Sequence, residues 1–260
     1  MARITFCQAR SNPAPFCLVA FFLAAATVTL SAQVAPLAPK WLAGTPPPPV
    51  ETFADALTRH HIDLTESALI AALQNPDGDI RSLAAAQLAA MDDRQALKPI
   101  LEAMESESDL QVQVNLAGAA TWLSSNRALD QLQRLCQNTN VPDATRLDAA
   151  RYVSHKELST CYSSVEEIAQ RSNDPNIRIL ALQTAATYRG QADKANALLV
   201  SALSDRDPAV RVAAADTLRL EKVASAIDAL ARALPLEGDA VTRDHLREAI
   251  RALQASSSAH

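Results

Sequence analysis

The side chains able to do chemistry are scattered along this chain. Histidine occurs at His60, His61, His155, His245 and His260, with no metal-ligand spacing among them. His60 and His61 are adjacent, and neighbours on a helix point about 100° apart, so one ion cannot readily take both. The acid pairs Asp92-Asp93 and Glu166-Glu167 fall in predicted turns or on helix surfaces, where carboxylates face solvent rather than share a proton. Asp77-Gly78-Asp79 is spaced like the start of a calcium loop, but the later glutamate ligand is missing, and the segment reads as a capped turn. Five glycines in all leave little material for a phosphate loop or a nucleophile elbow. The residues therefore predict no catalytic group, no cofactor and no metal.

The elements that would position these side chains are helices. Hydrophobic residues make up 48% and charged residues 20% of 260 residues, with aromatics at only 4%, and alanine runs such as Ala84 to Ala86 and Ala213 to Ala215 favour close-packed helices over strands. An aliphatic or Thr residue followed by Arg opens a helical run at Arg81, Arg146, Arg178, Arg211 and Arg243, and Gln113 fills the remaining slot. The steps between these six anchors are 32, 33, 32, 33 and 32 residues, the signature of a stacked repeat. Each unit predicts two amphipathic helices, the first over about 64–74, 95–105, 126–138, 160–171, 190–203 and 223–233. The second helices are expected over about 78–91, 109–123, 142–154, 175–188, 207–219 and 240–253.

An Asp stands four residues before the anchor at Asp77, Asp109, Asp174, Asp207 and Asp239, and at the third repeat Asp143 comes one place later. It can cap the second helix, and Pro175 and Pro208 suit the first helical position. Three residues after the anchor stand Ala84, Ala149, Ala181 and Ala214, with Leu116 and Leu246 in the second and sixth repeats, where a small side chain lets stacked helices approach closely. One helix pair cannot bury its own apolar face, so stability must come from stacking. Residues 51–62 are expected to form a helix covering the first repeat.

Residues 1–32 read as a signal peptide. Arg3 and Arg10 precede an apolar run from Phe16 to Val28 that ends at a small residue, Ala32. That run is shorter than the roughly 20 apolar residues of a clean membrane span, so no span is expected after cleavage. Residues 33–50, with Pro46 to Pro49, predict an extended linker, and residues 51–260 a repeat domain with a short C-terminal tail. The net charge is −5 at pH 7 and becomes more negative once Arg3 and Arg10 are removed, which leaves no footprint for nucleic acid. An exported chain, periplasmic or secreted, would keep only Cys136 and Cys161, and an oxidising compartment joins cysteines that meet. Seven residues of offset between parallel first helices, roughly 10 Å along the axis, argue against that bond. A fold-back of the 155–161 connection would cancel the offset.

Asp174-Pro-Asn-Ile-Arg178 and Asp207-Pro-Ala-Val-Arg211-Val-Ala-Ala-Ala-Asp-Thr-Leu218 resemble the second-helix signature of HEAT-like repeats of the phycobilisome-lyase type, and Ala96-Leu-Lys-Pro-Ile-Leu101 resembles their first helix. The resemblance covers about residues 64–253. It implies an all-α, right-handed α-solenoid of about six HEAT-like helix pairs. It also implies a structural ladder pairing Asp77 with Arg81, Asp174 with Arg178, Asp207 with Arg211 and Asp239 with Arg243. Gln113 and Asp143 depart from that ladder, so the second and third repeats are expected to open first. Enzymes on this repeat, the deoxyhypusine hydroxylases, hold a di-iron centre with His-Glu dipeptides, of which this sequence has none.

The function expected is a non-catalytic protein-binding scaffold of the cell envelope or secreted space, its protein partner unidentified. The alternatives are an enzyme or metalloprotein related to the lyase and hydroxylase proteins, or a purely structural spacer. Second helices line the inner curve of HEAT-type stacks. In the middle repeats they end in Trp122, Tyr152, His155 and Tyr188, a concentration of rings that would anchor a partner if exposed together. The opposing expectation is that Trp122 and the tyrosines pack between repeats as core.

Overall fold

The computed structural model describes residues 4–7, 17–20 and 51–257. Ile4–Cys7 and Cys17–Ala20 form an antiparallel pair, β1 and β2, with Ile4 opposite Ala20. The rest of the expected signal peptide, the Pro-rich linker and residues 258–260 lie outside the described residues. From Phe53 to Ser257 every regular element is helical.

The chain forms two compact units, divided between Pro99 and Ile100. In the first, α1 (Phe53–Arg59) and α2 (Glu66–Ala72) both pack on α3 (Gly78–Ala90). Thr52 and Asp55 build a reciprocal capping box at the start of α1. Asp77 caps α3 by accepting the Asp79 N–H at 2.9 Å. The next helix, α4 (Leu97–Ser106), spans the division.

The second unit continues through α5 (Leu110–Trp122), α6 (Asn126–Gln137), α7 (Asp143–Ser154), α8 (Tyr162–Arg171) and α9 (Pro175–Ala186). It ends with α10 (Ala192–Ala202), α11 (Pro208–Leu220), α12 (Ile227–Ala233) and α13 (Ala240–Ser257). The second helices α5, α7, α9, α11 and α13 pack in succession. Ala149, Ala181, Ala214, Leu116 and Leu246 are all buried along that line of contact, so the position three residues after the anchor is where the helices meet. The expected helix ends shift in two respects. Short 3-10 turns at Arg94–Ala96, Arg189–Gln191 and Ala224–Ala226 take over the start of three first helices, and α13 runs on to Ser257 rather than stopping near 253.

With few glycines available, the chain leaves several helices through ordinary residues in the left-handed region. His61, Asp92, Ser124 and Lys222 have φ of 58°, 54°, 72° and 55°. After α5 the Ser124 and Ser125 N–H groups bond back to the Thr121 and Ala120 carbonyls, and after α11 Lys222 and Val223 repeat this on Arg219 and Leu218. These are Schellman closures that satisfy the last carbonyls of each helix.

Cys136 and Cys161 form a disulfide, with Cα atoms 5.8 Å apart, which corrects the expectation from their offset. Cys161 stands before α8 rather than inside it, as its N-cap residue. The connection after α7 turns at Glu157, whose φ is 58°, and folds back to the end of α6, where Gln137 Nε2 donates to the Thr160 carbonyl at 3.2 Å. Both cysteines are fully buried.

Candidate partner-binding surface

The anchor residues fix the geometry of the turns, and at Arg178 and Arg211 not by the hydrogen-bonded pairs expected. Arg178 Nη1 donates to the Ser172 and Asn173 carbonyls at 2.8 and 3.3 Å, and Arg211 Nη1 to the Asp205 carbonyl at 2.8 Å. Arg81 and Arg243 treat their own turns alike, donating to Asn75 and Pro76 and to Glu237 and Gly238. The first duty of the anchor is therefore to satisfy carbonyls left over at the end of the preceding helix and in the turn. Gln113 does the same with less, donating to the Met104 and Glu107 carbonyls at 3.3 and 3.4 Å.

The carboxylate partner comes from the following repeat. Arg178 Nε and Nη2 take both oxygens of Asp205 at 2.9 and 2.8 Å, and Arg211 Nε and Nη2 take those of Glu237 at 2.6 and 2.8 Å. Asp174 and Asp207 instead accept the N–H two residues on, as caps of α9 and α11, and Asp239 accepts from the Thr242 N–H and hydroxyl. A cap oxygen held on the N–H groups of its own first turn is not aimed at the guanidinium, and the fork of Arg selects an acid that meets it edge-on. The within-repeat pair does form at the third repeat, where Asp143 is the first residue of α7 and binds Arg146 Nη1 at 3.0 Å. Arg146 Nε meanwhile donates to the carbonyl of the disulfide residue Cys136 at 3.1 Å.

The ring residues divide into core and surface. Tyr188 is 3% exposed. Its hydroxyl donates to the Ala150 carbonyl at 2.7 Å and its ring meets Tyr162 edge-on, centroids 5.5 Å apart. Burial pushes its hydroxyl pKa up, and Tyr188 cannot be an exposed anchor. Tyr152 is half-buried, its ring lying where Gly118 has no side chain. A Cβ at Gly118 would fall 2.3 to 2.7 Å from three Tyr152 ring carbons. Gly118→Ala should therefore cost about 1–3 kcal/mol in urea unfolding, and an unchanged midpoint would show that the ring does not need the gap.

Trp122 lies one turn beyond Gly118 on α5 and is 38% exposed. His155, the exposed C-cap residue of α7, is in register with it. Each stands nine residues after its anchor, Gln113 or Arg146, on second helices that pack together. Tyr152 thus packs against Gly118, Trp122 and His155 are exposed at equivalent positions of neighbouring second helices, and Tyr188 lies in the core.

A polar network lies beside these rings. Gln111 Nε2 donates to Asp148 Oδ2 at 2.9 Å, Gln111 Oε1 accepts from the Thr145 hydroxyl at 2.8 Å, and Arg151 pairs with Asp148. Burial raises the Asp148 pKa against the opposing pull of Arg151 and Gln111. It likewise pushes the Tyr152 hydroxyl up to about 12. Partial desolvation, then the charges of Arg151 and Lys156, lower the His155 pKa. Neither this network nor the Asp205 and Glu237 acceptors stood out by residue type. The acceptors are legible only as a column of acids six residues before the anchor, at Glu107, Asp205 and Glu237.

Among the described residues no group of three or more His, Cys, Asp or Glu side chains could hold a metal ion, and no helix is long and apolar enough to cross a membrane. No curated protein matches the chain. Similar solved structures include the complex of CpcE and CpcF of phycocyanin lyase from Nostoc sp. PCC7120, at 17% identity and a TM-score of 0.39, covering 74% of this chain and 95% of that one. The model for HEAT repeats matches residues 66–153 and 163–251. Those two stretches run from α2 through α7 and from α8 into α13, more than half of the sequence, and the chain belongs to the HEAT-repeat family.

Proposed function

We propose that this chain is a non-catalytic scaffold of the cell envelope or secreted space that binds a protein partner across the second-helix face carrying Trp122, Tyr152 and His155. The observation that carries this reading is the partly exposed indole of Trp122, in register with an exposed imidazole on the neighbouring helix in a chain with 4% aromatics. Exposed aromatic anchors dominate interface energetics, and a stack of helix pairs offers an extended surface to hold them. Export is supported by the pattern of residues 1–32 and by the Cys136–Cys161 disulfide, a bond that persists in oxidising compartments.

The test is to crosslink the protein in its native compartment, identify what it touches, and measure the affinity for that partner. Trp122→Ala should weaken binding by more than about 1 kcal/mol and leave the helical circular-dichroism signal intact. Tyr152→Phe should stay folded, since the ring over Gly118 is retained. Equal affinity for the wild type and Trp122→Ala would move the binding surface elsewhere, and a stoichiometric transition metal in the purified protein would favour the enzyme reading instead.

A further inference from the structure

Among the described residues the inter-repeat ladder reaches one fork that takes no acid, at Arg243. At Arg178 and Arg211 the guanidinium is used the same way twice: Nη1 holds the carbonyl six residues upstream, while Nε and Nη2 grip one carboxylate of the next repeat edge-on. Arg243 reproduces the first half of this, with Nη1 donating to the Glu237 and Gly238 carbonyls at 3.0 and 3.1 Å. Among the described residues its Nε and Nη2 make no hydrogen bond to a carboxylate; the nearby Asp239 is taken up by the Thr242 N–H and hydroxyl. Arg243 Nη1 is held on the turn carbonyls as in the two internal rungs, so less of the side chain's freedom remains to be lost when a partner acid binds.

The surroundings of this fork differ from those of an internal rung. Leu236 is 85% exposed and Val241 57% exposed, and they flank the turn that Arg243 ties together. Ser204 and Ala209 hold the corresponding places beside Arg211. Two large apolar side chains in water beside an unfilled guanidinium fork make a small composite surface, one charged fork with apolar shoulders.

We propose that the Arg243 fork, with Leu236 and Val241, is a docking point for an acidic loop of a partner protein, in which an Asp or Glu beside an apolar residue completes the ladder as Asp205 and Glu237 do inside it. Two features of the chain argue against other occupants. Residues 1–50 contain no acid at all, so the chain's own N-terminal segment cannot supply the carboxylate side chain. The first repeat has Asn75 six residues before its anchor, so a second copy stacking head to tail would present an amide where the fork takes an acid.

The probe is a synthetic peptide of residues 234–242, Leu-Pro-Leu-Glu-Gly-Asp-Ala-Val-Thr, the stretch through which Glu237 fills the Arg211 fork. It would carry a fluorophore and be titrated with the full chain by anisotropy. Arg243→Gln is the informative variant, because Gln113 shows that glutamine can still hold the turn carbonyls. Binding near or below about 1 mM is expected for the wild type, with at least a tenfold loss in Arg243→Gln and in a peptide carrying Glu237→Gln. Arg247→Gln, at an exposed arginine paired with Asp244, should bind as the wild type does. Absent binding, binding unmoved by Arg243→Gln, or equal loss in Arg247→Gln would each overturn the proposal. Self-association of the chain that Arg243→Gln abolishes would also overturn it, by giving the fork to a second copy.

Discussion

Replacing both Cys136 and Cys161 by alanine should destabilise the second unit by about 3–4 kcal/mol, the loop-closure entropy of a crosslink spanning 25 residues. The effect should be concentrated at the third repeat. The bond holds the 155–161 connection against the end of α6, and the Cys136 carbonyl is the acceptor for Arg146 Nε at 3.1 Å. Hydrogen exchange in the variant should rise first in residues 155–161 and the last turn of α6. The early opening expected of the third repeat from its shifted Asp143 should then appear, because the covalent clamp that offsets it is gone. A loss below about 1 kcal/mol, measured by urea unfolding, would mean that the unfolded chain keeps those segments together without the bond.

The second large effect is expected at the buried rung. The Arg178 side chain is 3% exposed and Asp205 supplies its carboxylate from the next repeat. Asp205→Ala leaves a guanidinium in the core with only turn carbonyls to hold it, at a cost of about 3–5 kcal/mol. Removing both partners, as in Arg178→Met with Asp205→Ala, should cost less than Asp205→Ala alone, because no unpaired charge is then buried. The acid limb follows from the same contact. Burial would raise the Asp205 pKa, but the Arg178 hydrogen bonds, the Asp207 N–H and the nearby arginine charges together hold it below the ordinary value. Glu237 is lowered first by its hydrogen bonds from Arg211. A lowered carboxylate pKa stabilises the fold above the unfolded-state value of about 4 and loses that contribution as pH falls through the folded-state value. Unfolding midpoints should therefore fall only below about pH 4 for the wild type, and Asp205→Asn should flatten part of that acid limb.

The helices were legible because their signals are local and repeat in phase. Anchors 32 or 33 residues apart, a capping Asp before each second helix and small residues three places after the anchor all point to one arrangement, and agreement across levels specifies a fold. What failed was pairing in space. The anchor Arg and the turn Asp are four residues apart and suggest a local ion pair, yet the Asp is committed to capping its own helix and the Arg reaches for an acid 26 or 27 residues on. Spacing within one repeat carries no information about which neighbour a long side chain meets. The disulfide is hidden from the sequence for a related reason. In-register stacking sets a seven-residue offset, and the turn at Glu157 that cancels it involves a residue with no particular preference for positive φ. At the candidate surface the periodicity placed four rings on second helices but could not separate Tyr188, drawn into the core by its bond to Ala150, from Trp122. Gly118 offered the one usable clue: a glycine inside a helix costs stability unless something occupies the space of its missing side chain.

Site-specific photocrosslinking in the native compartment would show whether the second-helix face around Trp122 meets a protein partner. A photoreactive residue would be placed at position 122 in one variant and at Asp130 in another, an exposed site on the first helix α6. One discrete crosslinked product is expected from position 122 and none from position 130. Crosslinks of equal yield from both positions, or from position 130 alone, would contradict a partner contact at that face.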